Sequence, residues 1–122
     1  MSLVGFLTAF SAKLLTLEAR SYYGDEIDPN IKLPNAYWHY VNTVDEEPAE
    51  DFIVEVDITG YSKKLTQLET IASAIDTGLN YWQYGTGGSP TFNCYRLSRL
   101  AIPTGEEGIA RRQLRYRVRA YL

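Results

Sequence analysis

Near the start of the chain, apolar residues recur at steps of four and three: Leu3, Leu7, Phe10, Leu14 and Leu17, with Phe6 widening the stripe. At 3.6 residues per turn these share one face, so the spacing predicts an amphipathic helix over 3–20. The next stretch, "SYYGDEIDPNIKLPN" (21–35), loses the period and holds Gly24, Pro29 and Pro34. It predicts a connecting loop, long enough to contact neighbouring elements.

The period then changes to two. "AYWHYVNTV" (36–44) is aromatic and β-branched, and in "FIVEVDI" (52–58) Phe52, Val54, Val56 and Ile58 alternate with Ile53, Glu55 and Asp57. Two strands joined by the acidic turn "DEEPAED" (45–51) form an antiparallel hairpin with one apolar face. After Gly60, Ser62 is placed to cap a second helix, whose apolar side is Leu65, Leu68, Ile71, Ala72, Ile75 and Leu79. Gly78 before Leu79 suits a left-handed helix end. Lys63 and Lys64 in the first turn and Asp76 near the last oppose the helix dipole, each at a few tenths of a kcal/mol, unless tertiary partners offset them.

"YGTGGSP" (84–90) predicts a flexible loop leading to a third strand, "TFNCYRLSRLAI" (91–102), whose alternation is imperfect. Phe92, Cys94 and Leu100 fall on one parity, Tyr95 and Leu97 on the other, and a bulge near Arg96 would reconcile them. The turn "PTGEEG" leads to a fourth strand, where Leu114, Tyr116, Val118 and Ala120 alternate with Gln113, Arg115, Arg117 and Arg119. Two helical stripes and one apolar sheet face imply an α+β two-layer sandwich in the order α-β-β-α-β-β. With the fourth strand inserted between the second and third, the four-stranded sheet has the order 1-2-4-3, fully antiparallel, with both helices on one face.

A chain of 122 residues supports one core, so a single domain over 1–122 is expected. Net charge is −3, unevenly spread. Residues 91–122 carry seven arginines against Glu106 and Glu107, a net +5, which leaves −8 for the first 90. Such a split marks either a nucleic-acid face or two complementary surfaces that meet within or between subunits. On the expected sheet, Glu55 and Asp57 of the second strand and Arg115, Arg117 and Arg119 of the fourth point away from the core. As cross-strand neighbours they are worth roughly 0.2–1 kcal/mol per pair.

Candidate chemistry is sparse. Cys94 is the single cysteine and His39 the single histidine, so neither a disulfide nor a zinc set is expected. "GTGGSP" lacks a following Gly-Lys-Ser/Thr and precedes a strand, unlike a phosphate-binding loop. The run Asp45, Glu46, Glu47, Glu50 and Asp51 lacks calcium-loop spacing, and no serine sits in a nucleophile elbow. These observations point away from an enzyme and imply no cofactor or metal. No stretch approaches the roughly 18–20 apolar residues of a membrane span, and no basic leader precedes the first apolar run, so a soluble protein without a secretory signal is expected. Ten tyrosines supply amphipathic area of the kind enriched at interfaces, with Tyr22, Tyr23, Tyr81, Trp82 and Tyr84 as candidates.

The succession "LPNAYWHY", "VEVDITGYSKKLTQLETIASAID" and "RRQLRYRVRAYL", covering residues 33–122, resembles the tail-terminator or tail-completion proteins of long-tailed phages and prophages. The shared features are a strand leading through Asp57 and Ser62 into a helix with Ile71, Ala72 and Ile75, and an arginine-led last strand. The resemblance implies a virion structural subunit, assembled in the host bacterial cytoplasm into a homo-oligomeric ring, a hexamer. That ring caps the tail tube, meets the head-connector proteins and lets DNA pass through its lumen; no membrane partner is implied. Two other readings compete. One is a small nucleic-acid-binding domain using Arg115, Arg117 and Arg119 with Tyr121; the other is an enzyme whose site arises only between subunits.

Overall fold

The computed structural model describes residues 3–18, 21–23, 33–46, 49–86 and 89–121. Helix α1 (Leu3–Leu17) is followed by strands β1 (Ser21–Tyr23), β2 (Asn35–Glu46) and β3 (Ala49–Tyr61), a 3-10 turn (Ser62–Lys64) and helix α2 (Leu65–Leu79). Strands β4 (Gln83–Thr86), β5 (Ser89–Ile102) and β6 (Ile109–Tyr121) complete the order. No helix among the described residues is long and apolar enough to cross a membrane.

The strands form one sheet in the order β1-β2-β3-β6-β5-β4. The expected four-stranded, fully antiparallel sheet is therefore corrected to six strands. Its centre is β2-β3-β6-β5; β1 adds to β2 in parallel, Ser21 to Tyr23 against Ala36 to Trp38, and β4 adds to β5 antiparallel. Both additions fall in segments expected to be loops. At three and four residues they are too short to show an alternating pattern. The rest of the 21–35 loop and the acidic turn lie partly outside the described residues.

Alternation in β3 and β6 sets the core. Phe52, Val54, Val56 and Ile58 pair with Val118, Tyr116, Leu114 and Arg112 across the central ladder. Of these, the seven other than Arg112 are buried with Ala36, Trp38, Phe92 and Cys94 beneath the two helices. Helix α1 contributes Phe10 and Leu14, and α2 contributes Leu68, Ala72, Ile75 and Leu79. Phe10 meets Trp38 at a ring separation of 4.9 Å and Trp82 at 5.8 Å, so α1 seals the β2 side and the β4 side at once. Each large side chain removed from water in this way contributes roughly 1.5–3 kcal/mol.

The ends of α2 differ from expectation. Ser62 makes no cap: it opens the 3-10 turn, and neither that turn nor α2 has a side-chain capping bond. The Ser62 amide instead donates to the Gly108 carbonyl in the β5–β6 turn, a partner far along the chain that satisfies one of the free amides at the start of the helical segment. Gly78 lies inside the helix rather than in a left-handed end, and Tyr81 takes the positive φ of 65°. What Gly78 supplies is clearance, since a Cβ there would lie 2.5 Å from Leu17 Cδ2 of α1.

Candidate interaction surface

On the sheet face away from the helices, β6 presents Arg111, Gln113, Arg115, Arg117 and Arg119. The register places Glu55 opposite Arg115, Asp57 opposite Gln113, Ile53 opposite Arg117 and Asp51 opposite Arg119. Contacts follow this register with two diagonal steps, Arg117 to Asp51 and Gln113 to Glu55. Arg117 Nη2 donates to Asp51 Oδ2, and Gln113 Nε2 donates to Glu55 Oε2 at 2.9 Å and Asp57 Oδ1 at 3.0 Å. Arg115 Nε stands 3.9 Å from Glu55 Oε1, an ion pair without a hydrogen bond, and His39 Nε2 stands 3.8 Å from the same carboxylate. Asp57, expected beside an arginine, thus has the Gln113 amide instead. Arg111 Nε donates to Thr59 Oγ1 at 3.1 Å.

A second charged layer, unforeseen from the sequence, lies on the helix side. Glu69 of α2 accepts from Arg112 Nε of β6 and from Arg99 Nη2 of β5, and Arg99 also reaches Ser73 Oγ at 3.2 Å. Asp76 accepts from Arg96 Nη1 at 2.6 Å and from the Tyr116 hydroxyl at 2.9 Å. Glu69, Ser73 and Asp76 recur at steps of four and three, so one polar stripe of α2 faces the arginines. That spacing was the available signal. It also supplies the tertiary partner that offsets the unfavourable position of Asp76 near the helix end.

These contacts shift ionisation in directions that follow from their geometry. Hydrogen bonds from Arg112 first and Arg99 second hold the Glu69 carboxyl below its ordinary value of 4.5. Burial, reinforced by Asp76, pushes the Tyr116 phenol well above its ordinary range. Burial likewise pushes the Cys94 thiol up, so it packs as a small apolar group rather than a nucleophile. Among the described residues no group of three histidine, cysteine, aspartate or glutamate side chains is arranged to hold a metal ion.

The bulge expected near Arg96 is present: Arg96 pairs with Tyr116 and Ser98 with Arg115, leaving Leu97 as the extra residue. Its effect differs from the expected reconciliation of apolar parity. Tyr95, Leu97 and Leu100 are all exposed, while the shift pairs Arg99 with core-facing Leu114 and so delivers it to the α2 side.

The aromatic candidates divide. Trp82 is half-buried, edge-on to Phe92 at 5.0 Å, with Lys13 Nζ 5.4 Å above its ring. Tyr84 stacks on Phe92 at 5.1 Å yet stays exposed, and exposed Tyr81 meets Tyr95 edge-on at 5.8 Å. The side chains of Tyr22, Tyr23 and Tyr121 lie outside the described residues.

No family model matches the chain, and no curated protein matches it. Among solved structures, its fold is similar to that of a chain in the virion of a native gene transfer agent particle. The likeness has a TM-score of 0.65 and covers 88% of this chain and 83% of that one at 12% identity.

Proposed function

We propose that the chain is a non-enzymatic structural subunit of a phage or prophage virion, of the tail-terminator or tail-completion kind, forming an oligomeric ring at the head–tail junction. The observation that carries this reading is the fold shared with a gene transfer agent virion chain across most of both lengths. The sequence resemblance to tail terminators points the same way. In this reading the subunits form a hexamer that meets the tail tube on one side and head-connector proteins on the other, and DNA passes through without being read.

The charge pattern fits a conduit better than a nucleic-acid reader. Arg117 is paired with Asp51, Arg115 stands beside Glu55, and Arg96, Arg99 and Arg112 are held by Asp76 and Glu69. A phosphate backbone would have to compete with those carboxylates for each cation. Negative-stain images and native mass of the purified chain test the proposal: rings of uniform stoichiometry are expected. A monomer at every concentration, together with DNA affinity that falls steeply with salt, would replace it with the nucleic-acid reading.

A further inference from the structure

The outer-face residues of β6 follow the strand's period of two, so Arg115, Arg117 and Arg119 stand about 7 Å apart, with Arg111 beyond Gln113. A regular row of arginines is the arrangement that meets a phosphate backbone, where cations fix position and no base is read. Exposure gives this row a direction. The Arg117 side chain is 51% exposed against 9% for its partner Asp51, and Arg115 is 41% exposed against 23% for Glu55. The guanidiniums are the solvent-facing members of both pairs, and the carboxylates lie deeper.

Those carboxylates are fixed in place by more than the arginines. Asp51 and Glu55 share the register of β3 with β6. Gln113, which interrupts the row, donates its amide to Glu55 and to Asp57. Glu55 is thereby kept 3.9 Å from Arg115 without needing a hydrogen bond from it. A phosphate approaching Arg115 or Arg117 would come within a few ångströms of fixed negative charge. That is well inside the screening distance of about 8 Å at physiological ionic strength, so repulsion offsets what each arginine offers.

We propose that the arginine row of β6 is a latent site for the phosphate backbone of DNA, and that Asp51 and Glu55 of β3 hold it shut. The inference rests on the reading that DNA passes this subunit without being retained. It names the groups that prevent retention.

The test measures affinity for a labelled DNA duplex of arbitrary sequence across a salt series. It compares the wild-type chain, Asp51→Asn with Glu55→Gln, and the control Glu106→Gln with Glu107→Gln, which removes the same charge from exposed positions in the β5–β6 turn. At low salt the first variant should bind roughly tenfold tighter or more than wild type, and its slope of log affinity against log salt should steepen by about two, one for each freed arginine. The control should follow wild type, and adding Arg115→Gln with Arg117→Gln to the first variant should return its slope to the wild-type value. An unchanged slope in the first variant, or equal steepening in the control, would overturn the mask and leave the ring reading intact. A wild-type chain that already binds with the affinity and slope of the first variant would overturn both. If circular dichroism shows that the first variant does not fold, Glu55→Gln alone decides: its slope should steepen by about one, and no change would sink the proposal.

Discussion

Gly78 of α2 lies directly against the Leu17 side chain of α1. A β-branched residue at Gly78 must displace Leu17 or the end of α1, so Gly78→Val should lower unfolding stability by about 1–3 kcal/mol. Denaturant titration checks this, and Leu17→Ala in the same chain should recover part of the loss, as a double-mutant cycle reports. Glu69 gives the second residue-scale test. Its side chain is 42% exposed, so solvent screening limits each of its two pairs to about 0.2–1 kcal/mol. Because its folded pKa is lowered, that stabilisation is complete above the ordinary glutamate value and disappears as pH falls through the folded one. The stability gap between wild type and Glu69→Gln should therefore close in acid. Tyr116 has the opposite sign. Its raised phenol contributes fully below its ordinary value of 10.0 and loses that contribution as pH rises above it, so Tyr116→Phe should blunt unfolding in alkali.

At the scale of elements, the Leu97 bulge separates what the sequence displays from what it hides. The clash of parity within "TFNCYRLSRLAI" announces an extra residue, but parity alone cannot tell whether the shift serves apolar or charged side chains. Arg99 settles it physically: its guanidinium has Glu69 and Ser73 within reach on α2, whereas exposing Leu100 at the edge forfeits modest burial. Deleting Leu97 restores a regular strand without changing the face of any other residue, so the variant should keep its secondary structure and lose no more than about 1 kcal/mol. Deleting Asn93 also removes the extra residue, but it drives Tyr95 into the site where Cys94 packs. That variant should be far less stable, and thermal melts of the two deletions make the comparison. Helices and the four long strands were legible because each repeats its period several times. Strands β1 and β4 were not, because three or four residues hold no period.

Across the whole molecule, the expected link between Glu55, Asp57 and the arginine strand is present in position but differs in detail, since Gln113 takes the Asp57 contact and Arg117 reaches diagonally to Asp51. Register at that resolution depends on where the strands start pairing, which composition does not specify. The helix-side charge layer is harder to read from the sequence, because Arg112 shares the parity of the core set, which alternation alone assigns to apolar residues.

The insertion of β6 between β3 and β5 has a consequence in time. Hairpins β2–β3 and β5–β6 each close locally, but the seam joining them pairs Ala49 with Tyr121 at one end and Tyr61 with Ile109 at the other. Contacts so distant along the chain form late and slowly. In the folded chain the acids of α2 hold arginines of that second hairpin, Asp76 taking Arg96 and Glu69 taking Arg99 and Arg112, an attraction of longer range than apolar contact. Refolding should therefore slow as salt screens that attraction, and a chain carrying Glu69→Gln with Asp76→Asn should refold slowly at every salt concentration in a stopped-flow experiment.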